Sequence, residues 1–186
     1  QESSCIREAA HAGQKGSGCR CSPSLAAAPG LPMTFMGSET LQEGWWHVDP
    51  HHRFNWGLAE GGDAHAADMK RLVAASNKLR LAYPALVQEN VRFVHEDSSN
   101  TVLGIMRWTE DCALLCLGHF GESQWDSGDY GASTGWGGGR AWQLVFNSQA
   151  AEFGGWDGSA TPEAKSDDSG KIFVNIPKWS FLVYKS

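Results

Sequence analysis

Glu39 has the setting of a working carboxylate. It closes the stretch "LPMTFMGSE", residues 31–39. The apolar run there, with Met33, Phe35 and Met36 bounded by Pro32 and Gly37, has the length and composition of a parallel-sheet strand buried on both faces. An acid just past the C-terminal end of such a strand lies where α/β barrels keep their active-site loops; the plainer reading is a loop acid. Trp45 and Trp46 follow on the same loop, with Trp56 further on. Adjacent side chains rarely point the same way, so one ring is expected to plug the gap between loop and helix and the other to lie at or near a sugar-lined groove. Nine tryptophans in 186 residues favour that kind of surface, because a buried indole N–H needs a partner.

The other chemistry-bearing residues point to fewer roles. His47 and His51 are four apart, but Pro50 lies between them and no cysteine or acid completes a tetrahedral set, so no metal is expected. The glycine clusters "GWGGGR" and "FGGWDGS" lack the G-x-x-x-x-G-K-[ST] pattern of a phosphate cradle and read as turns. No G-x-S-x-G elbow mounts a nucleophilic serine. No cofactor is implied.

Composition narrows the partners. Fifteen basic against 21 acidic residues give a net charge of −6, and the basic residues are scattered, which argues against nucleic acid or an anionic membrane surface. No apolar run approaches the ~20 residues that span a bilayer, and the first residues lack the pattern of a signal peptide. The chain opens on Gln1 instead of Met, which reads as a processed or partial product. Five cysteines without a C-x-x-C pair do not make a disulfide scaffold. Cys112 and Cys116 share one face of a strand with Leu114 and read as small core hydrophobes in a reducing compartment.

The elements that must position these residues fall into two regimes. Residues 1–22 are polar, small and glycine-broken, and are expected to be irregular. Across "HAADMKRLVAASNKLRLAYPAL", Met69, Leu72, Val73, Ser76, Leu79 and Tyr83 recur at helical spacing, with Lys70, Arg71, Lys78 and Arg80 assigned to the polar face. Asp63 is the expected N-cap and Pro84 the stop. Beyond it six short apolar runs, "LVQENVRFVHE", "TVLGIMRW", "ALLCLGHF", "AWQLVFN", "KIFVNI" and "FLVYK", alternate with turn clusters such as "GASTGWGGGR", while "PEAKSDDSG" reads as a solvated loop. Hairpin-like spacing of this kind predicts an antiparallel β-sandwich.

In their order and spacing these pieces resemble the C-terminal end of an amylase-type glycoside hydrolase, in particular a 1,4-α-glucan (glycogen or starch) branching enzyme. "AAAPGLPMTFMGSE" is similar to that family's last barrel strand with its Gly-x-Glu ending, and "MKRLVAASNKLRLAYPAL" to its last barrel helix. "VLGIMRW", "LLCLGHF", "WQLVFNSQAAEFGG" and "KIFVNIPKWSFLVYK" are similar to strands of its C-terminal β domain. The resemblance runs from about residue 23 to the end. It implies an α/β plus all-β chain: residues 23–84 as the last strand-loop-helix unit of a (β/α)8 barrel, and 85–186 as the C-terminal all-β domain.

Gly37 and Glu39 match the Gly-x-Glu, so Glu39 would order the rim of the glucan groove, and Trp45 and Trp46 are glucan-contact candidates by position. The family's reacting carboxylates lie on its fourth, fifth and seventh barrel strands, upstream of the first matching residue, so no catalytic residue is carried over and the chain alone is expected to be inactive. Residues 1–22 do not resemble the family's seventh-strand region. The implied partner is an α-glucan, whether glycogen, amylose or amylopectin, and the implied compartment is the cytosol or a plastid. Two other readings stand beside this one: an α-amylase-like hydrolase fragment with water as acceptor, and a non-catalytic glucan-binding module.

Overall fold

The computed structural model describes residues 23–42, 49, 53–155 and 159–186. Eight strands form two antiparallel sheets: β1 (Val91–Asp97), β2 (Val102–Trp108), β3 (Ala113–His119), β4 (Trp125–Ser133), β5 (Ala141–Asn147), β6 (Glu163–Lys165), β7 (Lys171–Ile176) and β8 (Phe181–Lys185). The larger sheet has the order β1-β2-β3-β8-β5-β6, and β4 pairs with β7 in a two-stranded sheet laid over it. Among the described residues three α-helices precede them: the single turns α1 (Ser24–Ala27) and α2 (Trp56–Ala59), and the long α3 (Ala64–Ala82).

The pattern of β3, "ALLCLGH", explains the layering. All seven of its residues are buried. Side chains alternate across a strand, so Leu115 and Leu117 face the two-stranded sheet, joining Tyr130, Ala132, Ile172, Val174, Trp142 and Tyr184. Leu114 and Cys116 face the opposite way and meet Met69, Leu72 and Leu79 of α3, together with Ala27, Leu86 and Phe181. The second cluster thus joins residues from before and after Pro84 in one apolar contact.

The long helix forms where its spacing predicts. The Asp63 carboxylate accepts from the Ala66 N–H at 2.9 Å, satisfying one of the first-turn donors, and the helix ends at Tyr83 before Pro84. Cys112 and Cys116 lie on the face of β3 that meets α3, as the period of two requires. Burial pushes the Cys116 thiol up to about 12 against the pull of nearby Arg107.

Four features depart from the sequence-based expectations. First, no strand forms over "LPMTFMG": residues 31–35 have no regular structure and 36–37 turn. A strand exists through the ladder it makes with neighbours, and none of the described strands lies beside it. Its side chains are exposed instead of buried, Leu31 at 96% and Met33 at 84%. Second, β4 arises in "WDSGDYGAS", where a register irregularity between Trp125 and Tyr130 interrupts any simple alternation. Third, the loop expected over "PEAKSDDSG" contains β6, which pairs with β5 through Ala141–Gln143.

Fourth, Arg80 does not lie on a solvated helix face. It is 8% exposed and donates through Nη1 to the carbonyls of Ala26 (2.7 Å) and Ala28 (3.2 Å) and through Nη2 to Gly30 (2.5 Å). Arg107 of β2, fully buried, donates to the carbonyls of Ala27 (2.6 Å), Asn90 (2.9 Å) and Gln88. Helical periodicity counts charged residues as polar, but a guanidinium carries five donors on a planar fork and can satisfy loop carbonyls that have no other partner.

Replacing Arg107 with Met removes three charge-assisted hydrogen bonds to carbonyls and is expected to lower the unfolding free energy by about 3 kcal/mol, read from urea denaturation. Iodoacetamide at pH 8 should leave Cys116 unmodified until the chain is unfolded, because its thiolate is scarce and its sulfur buried; mass spectrometry of the folded and denatured protein checks this.

Candidate functional site

Glu39 lies in a 3-10 turn, Ser38–Thr40, entered through Gly37 at φ 88° and left through Leu41 at φ 55°. Both flanking residues are left-handed, so the turn is tightly defined. The Gly37 carbonyl accepts from the backbone N–H groups of Thr40 (3.0 Å) and Gln42 (2.9 Å) and from the Thr40 hydroxyl (3.3 Å). A Cβ at Gly37 would lie 2.5 Å from the Gln42 Cβ and 3.2 Å from the Phe54 ring. Gln42 in turn accepts from the Asn55 N–H at 2.9 Å, so the turn is tied to the segment that leads into α2. Thr40 is buried while Glu39 keeps partial exposure.

Trp45 and Trp46 lie outside the described residues, as do His47, His51 and His52. Of the three candidates, Glu39 is the one among the described residues. The structure does place a ring that the sequence reading passed over as a site residue. Trp56 is 69% exposed, stands edge-on to Phe54 at 4.9 Å, and starts the helical turn capped by Asn55, whose side chain accepts from the Gly57 N–H. The signal for it was the cap pattern Asn55-Trp56-Gly57, which sets a tryptophan on the first turn of a short helix.

The remaining described tryptophans do structural work. Trp142 is in the sandwich core, and Trp108, Trp125 and Trp136 pack against it. Arg140 lies over the Trp136 ring at 4.6 Å and Trp108 meets it edge-on at 6.5 Å. The Trp179 indole donates to Glu122 at 2.9 Å. The high tryptophan count thus largely reflects the β-sandwich. Among the described residues no group of three or more His, Cys, Asp or Glu is arranged to hold a metal ion.

Comparison with known proteins decides the family. The description "Alpha amylase, C-terminal all-beta domain" matches residues 93–186, from within β1 to the last residue.

This chain belongs to that family.

Outside the family's all-beta domain the resemblance continues. A curated relative, "1,4-alpha-glucan branching enzyme GlgB 2" of Streptomyces coelicolor, is 29% identical over 161 residues, which cover 81% of this chain and 21% of the relative. The chain thus spans about a fifth of that relative's length. Among solved structures, an alpha-amylase from H.orenii superposes with a TM-score of 0.64 at 16% identity, covering 96% of this chain and 37% of that one. An alpha-amylase from Geobacillus thermoleovorans, solved in complex with acarbose, superposes with a TM-score of 0.63 at 14% identity, covering 93% and 34%. At these identities the structural matches establish the fold of the amylase all-beta domain and its attached helix.

Gly37→Ala should cost about 1–3 kcal/mol, because it combines a left-handed φ with a side-chain collision. Thermal unfolding followed by circular dichroism checks the loss. A shift in Trp56 fluorescence, isolated with a Trp56→Phe control, reports that the turn itself has moved.

Proposed function

We propose that this chain is the C-terminal portion of a 1,4-α-glucan branching enzyme, with the reacting carboxylates carried elsewhere in the polypeptide. The observation that carries the reading is the branching-enzyme match over 81% of the chain, which extends well beyond the 94 residues of the all-beta domain. On this reading residues 23–84 are the last strand-loop-helix unit of a (β/α)8 barrel and 85–186 the all-β domain. The exposed strip at Leu31, Met33, Phe35 and Met36 supports it: apolar surface of that density suits a segment that neighbouring strands cover. A complete barrel takes ~250 residues, more than the 186 present.

The parent enzyme would cut an α-1,4 bond with two carboxyl groups roughly 5–5.5 Å apart, hold a covalent glycosyl intermediate, and pass the chain to a 6-hydroxyl in place of water. Glu39, presented from an anchored turn, orders the rim of the acceptor groove, and Trp45 and Trp46 supply aromatic contact to the glucan. The partner is an α-glucan, as the acarbose complex of the related amylase fold suggests. The second reading, an α-amylase-like hydrolase, draws on the amylases among the structural neighbours and differs in releasing reducing sugar.

Antibodies raised against this chain are expected to capture a polypeptide well above 20.2 kDa from extracts of the source cells and to deplete the activity that shifts the iodine spectrum of amylose without releasing reducing ends. Depletion of reducing-sugar release instead would favour the hydrolase. Recombinant 186-residue chain should leave the iodine spectrum unchanged; a change on adding it alone would overturn the assignment of the reacting carboxylates to another part of the protein.

A further inference from the structure

We propose that His95, Tyr130 and Asp97 form a pH-sensitive latch that holds the edge strand β1 against β4, and that protonation of His95 opens it. β1 is the outer strand of the six-stranded sheet, and its pairing with β2 slips between Phe93 and His95, so that His95 sits opposite Gly104. A Cβ on Gly104 would come within 2.7 Å of the His95 Cβ; the bulge and the glycine together make room for the imidazole to turn towards β4.

The hydrogen bonds across the seam admit one proton arrangement. Tyr130 Oη lies 3.1 Å from Asp97 Oδ2 and donates its single proton there, because an ionised carboxylate only accepts. His95 Nε2, 2.7 Å from the same phenol oxygen, must therefore be the donor. His95 Nδ1 then carries no proton and accepts from the Ser133 N–H at 3.3 Å. The neutral Nε2–H imidazole satisfies every contact. A second proton could go only on Nδ1, where it would face the Ser133 N–H, donor against donor.

The surrounding charges fit this account. Burial is the largest influence and disfavours the imidazolium; from β1, Asp97 favours it; from β7, Lys171 adds to burial, and together they hold His95 below its ordinary 6.5. Asn100 bonds to the Asp97 carboxylate and keeps it ionised well into acid, and Tyr130 is pushed far above its ordinary value by burial and by Asp97. Across β2 the facing residue is Gly104, without charge. His95 is therefore the described group of the seam that changes charge in weak acid.

The sign follows from linkage. The opened state binds a proton near 6.5 and the closed state only at lower pH. The latch is at full strength above about 6.5, weakens as pH falls towards the folded-state value, and changes no further below it. One proton taken up on opening raises the opening constant by at most about tenfold per pH unit.

The test is hydrogen exchange by mass spectrometry on the 186-residue chain between pH 7.5 and 4.5, with intrinsic rates corrected at each pH. Peptides covering 91–97 and 129–134 are compared with peptides from β5 and β8. In the wild type the first two should open progressively below pH 6.5, by up to tenfold per unit, while β5 and β8 stay protected. His95→Gln, whose amide can both donate and accept without titrating, should flatten that dependence; Tyr130→Phe, which removes the relay oxygen, should raise exchange at all pH values. His119 of β3 is also held low by burial and is unchanged in both variants, so the difference in slope belongs to His95. Should His95→Gln retain the wild-type slope, or the wild-type seam show none, the latch is refuted. If the glutamine variant does not fold, His119→Gln is compared with the wild type instead: a seam slope that persists there belongs to His95, and one that vanishes refutes the latch.

Discussion

Two buried guanidinium groups without a carboxylate partner among the described residues hold this molecule's parts in register. Arg107 is rooted in β2 and Arg80 in α3, yet both donate into the same short stretch of backbone, residues 26–30. Arg107 also reaches the connection between helix and sheet at residues 88 and 90. Burying a guanidinium is costly: burial above all, with a smaller contribution from nearby Arg80, holds Arg107 below its ordinary value. The cost is bearable because the group is weakly hydrated and each fork donates to three carbonyls. Removing either fork thus loses more than a charge: without Arg80 the first described segment loses its tie to the helix, and without Arg107 its tie to the sheet.

Around that joint the rest of the fold follows from one strand. β3 is apolar on both faces, which is usual for strands enclosed in parallel sheets and possible here because a two-stranded sheet covers one side and α3 the other. A sheet is best protected at its centre, here β3 and β8, and less so at its edges β6 and β1; at β1 the neighbouring β4 makes contact through a polar chain of His95, Tyr130 and Asp97. Stability in such a domain is graded from centre to edge, and titratable groups concentrated at the edge make the gradient depend on pH.

The parts legible in the sequence were those with a regular period and a local stop signal. Met69, Leu72 and Leu79 repeat at helical spacing between an Asp cap and a proline, and "ALLCLGH" and "FLVYK" are short apolar runs between turn residues; both kinds of signal act through neighbours close in the chain. β4 escaped notice because it is rich in glycine and polar residues and has an irregular register, so its inward positions, Tyr130 and Ala132, do not stand out. Arg80 was misplaced for a related reason: hydrophobic periodicity treats a charged residue as solvent-facing, and the carbonyls that draw it inward lie more than fifty positions away. For Glu39 the sequence offered only a loop position after an expected strand; the 3-10 turn and its anchorage through Gln42 and Asn55 were not legible, since a loop-to-loop hydrogen bond leaves no periodic trace.

The strip after Gly30 is where these considerations meet. Its root is among the best-held backbone in the molecule, three carbonyls of residues 26–30 being gripped by Arg80 alone, and its far end is fixed by the left-handed turn at Gly37. Between two such anchors a chain of exposed Leu, Met and Phe side chains gains nothing from its own contacts, while the anchors have already removed much of the backbone freedom that pairing would otherwise cost. Pre-ordering of that kind lowers the cost of adding neighbouring strands on either side. On the proposed reading this is what a closing barrel strand needs: its two ends are set by the all-β domain and the last helix, so the position of Glu39 at the groove is determined from outside the barrel as well as from within it.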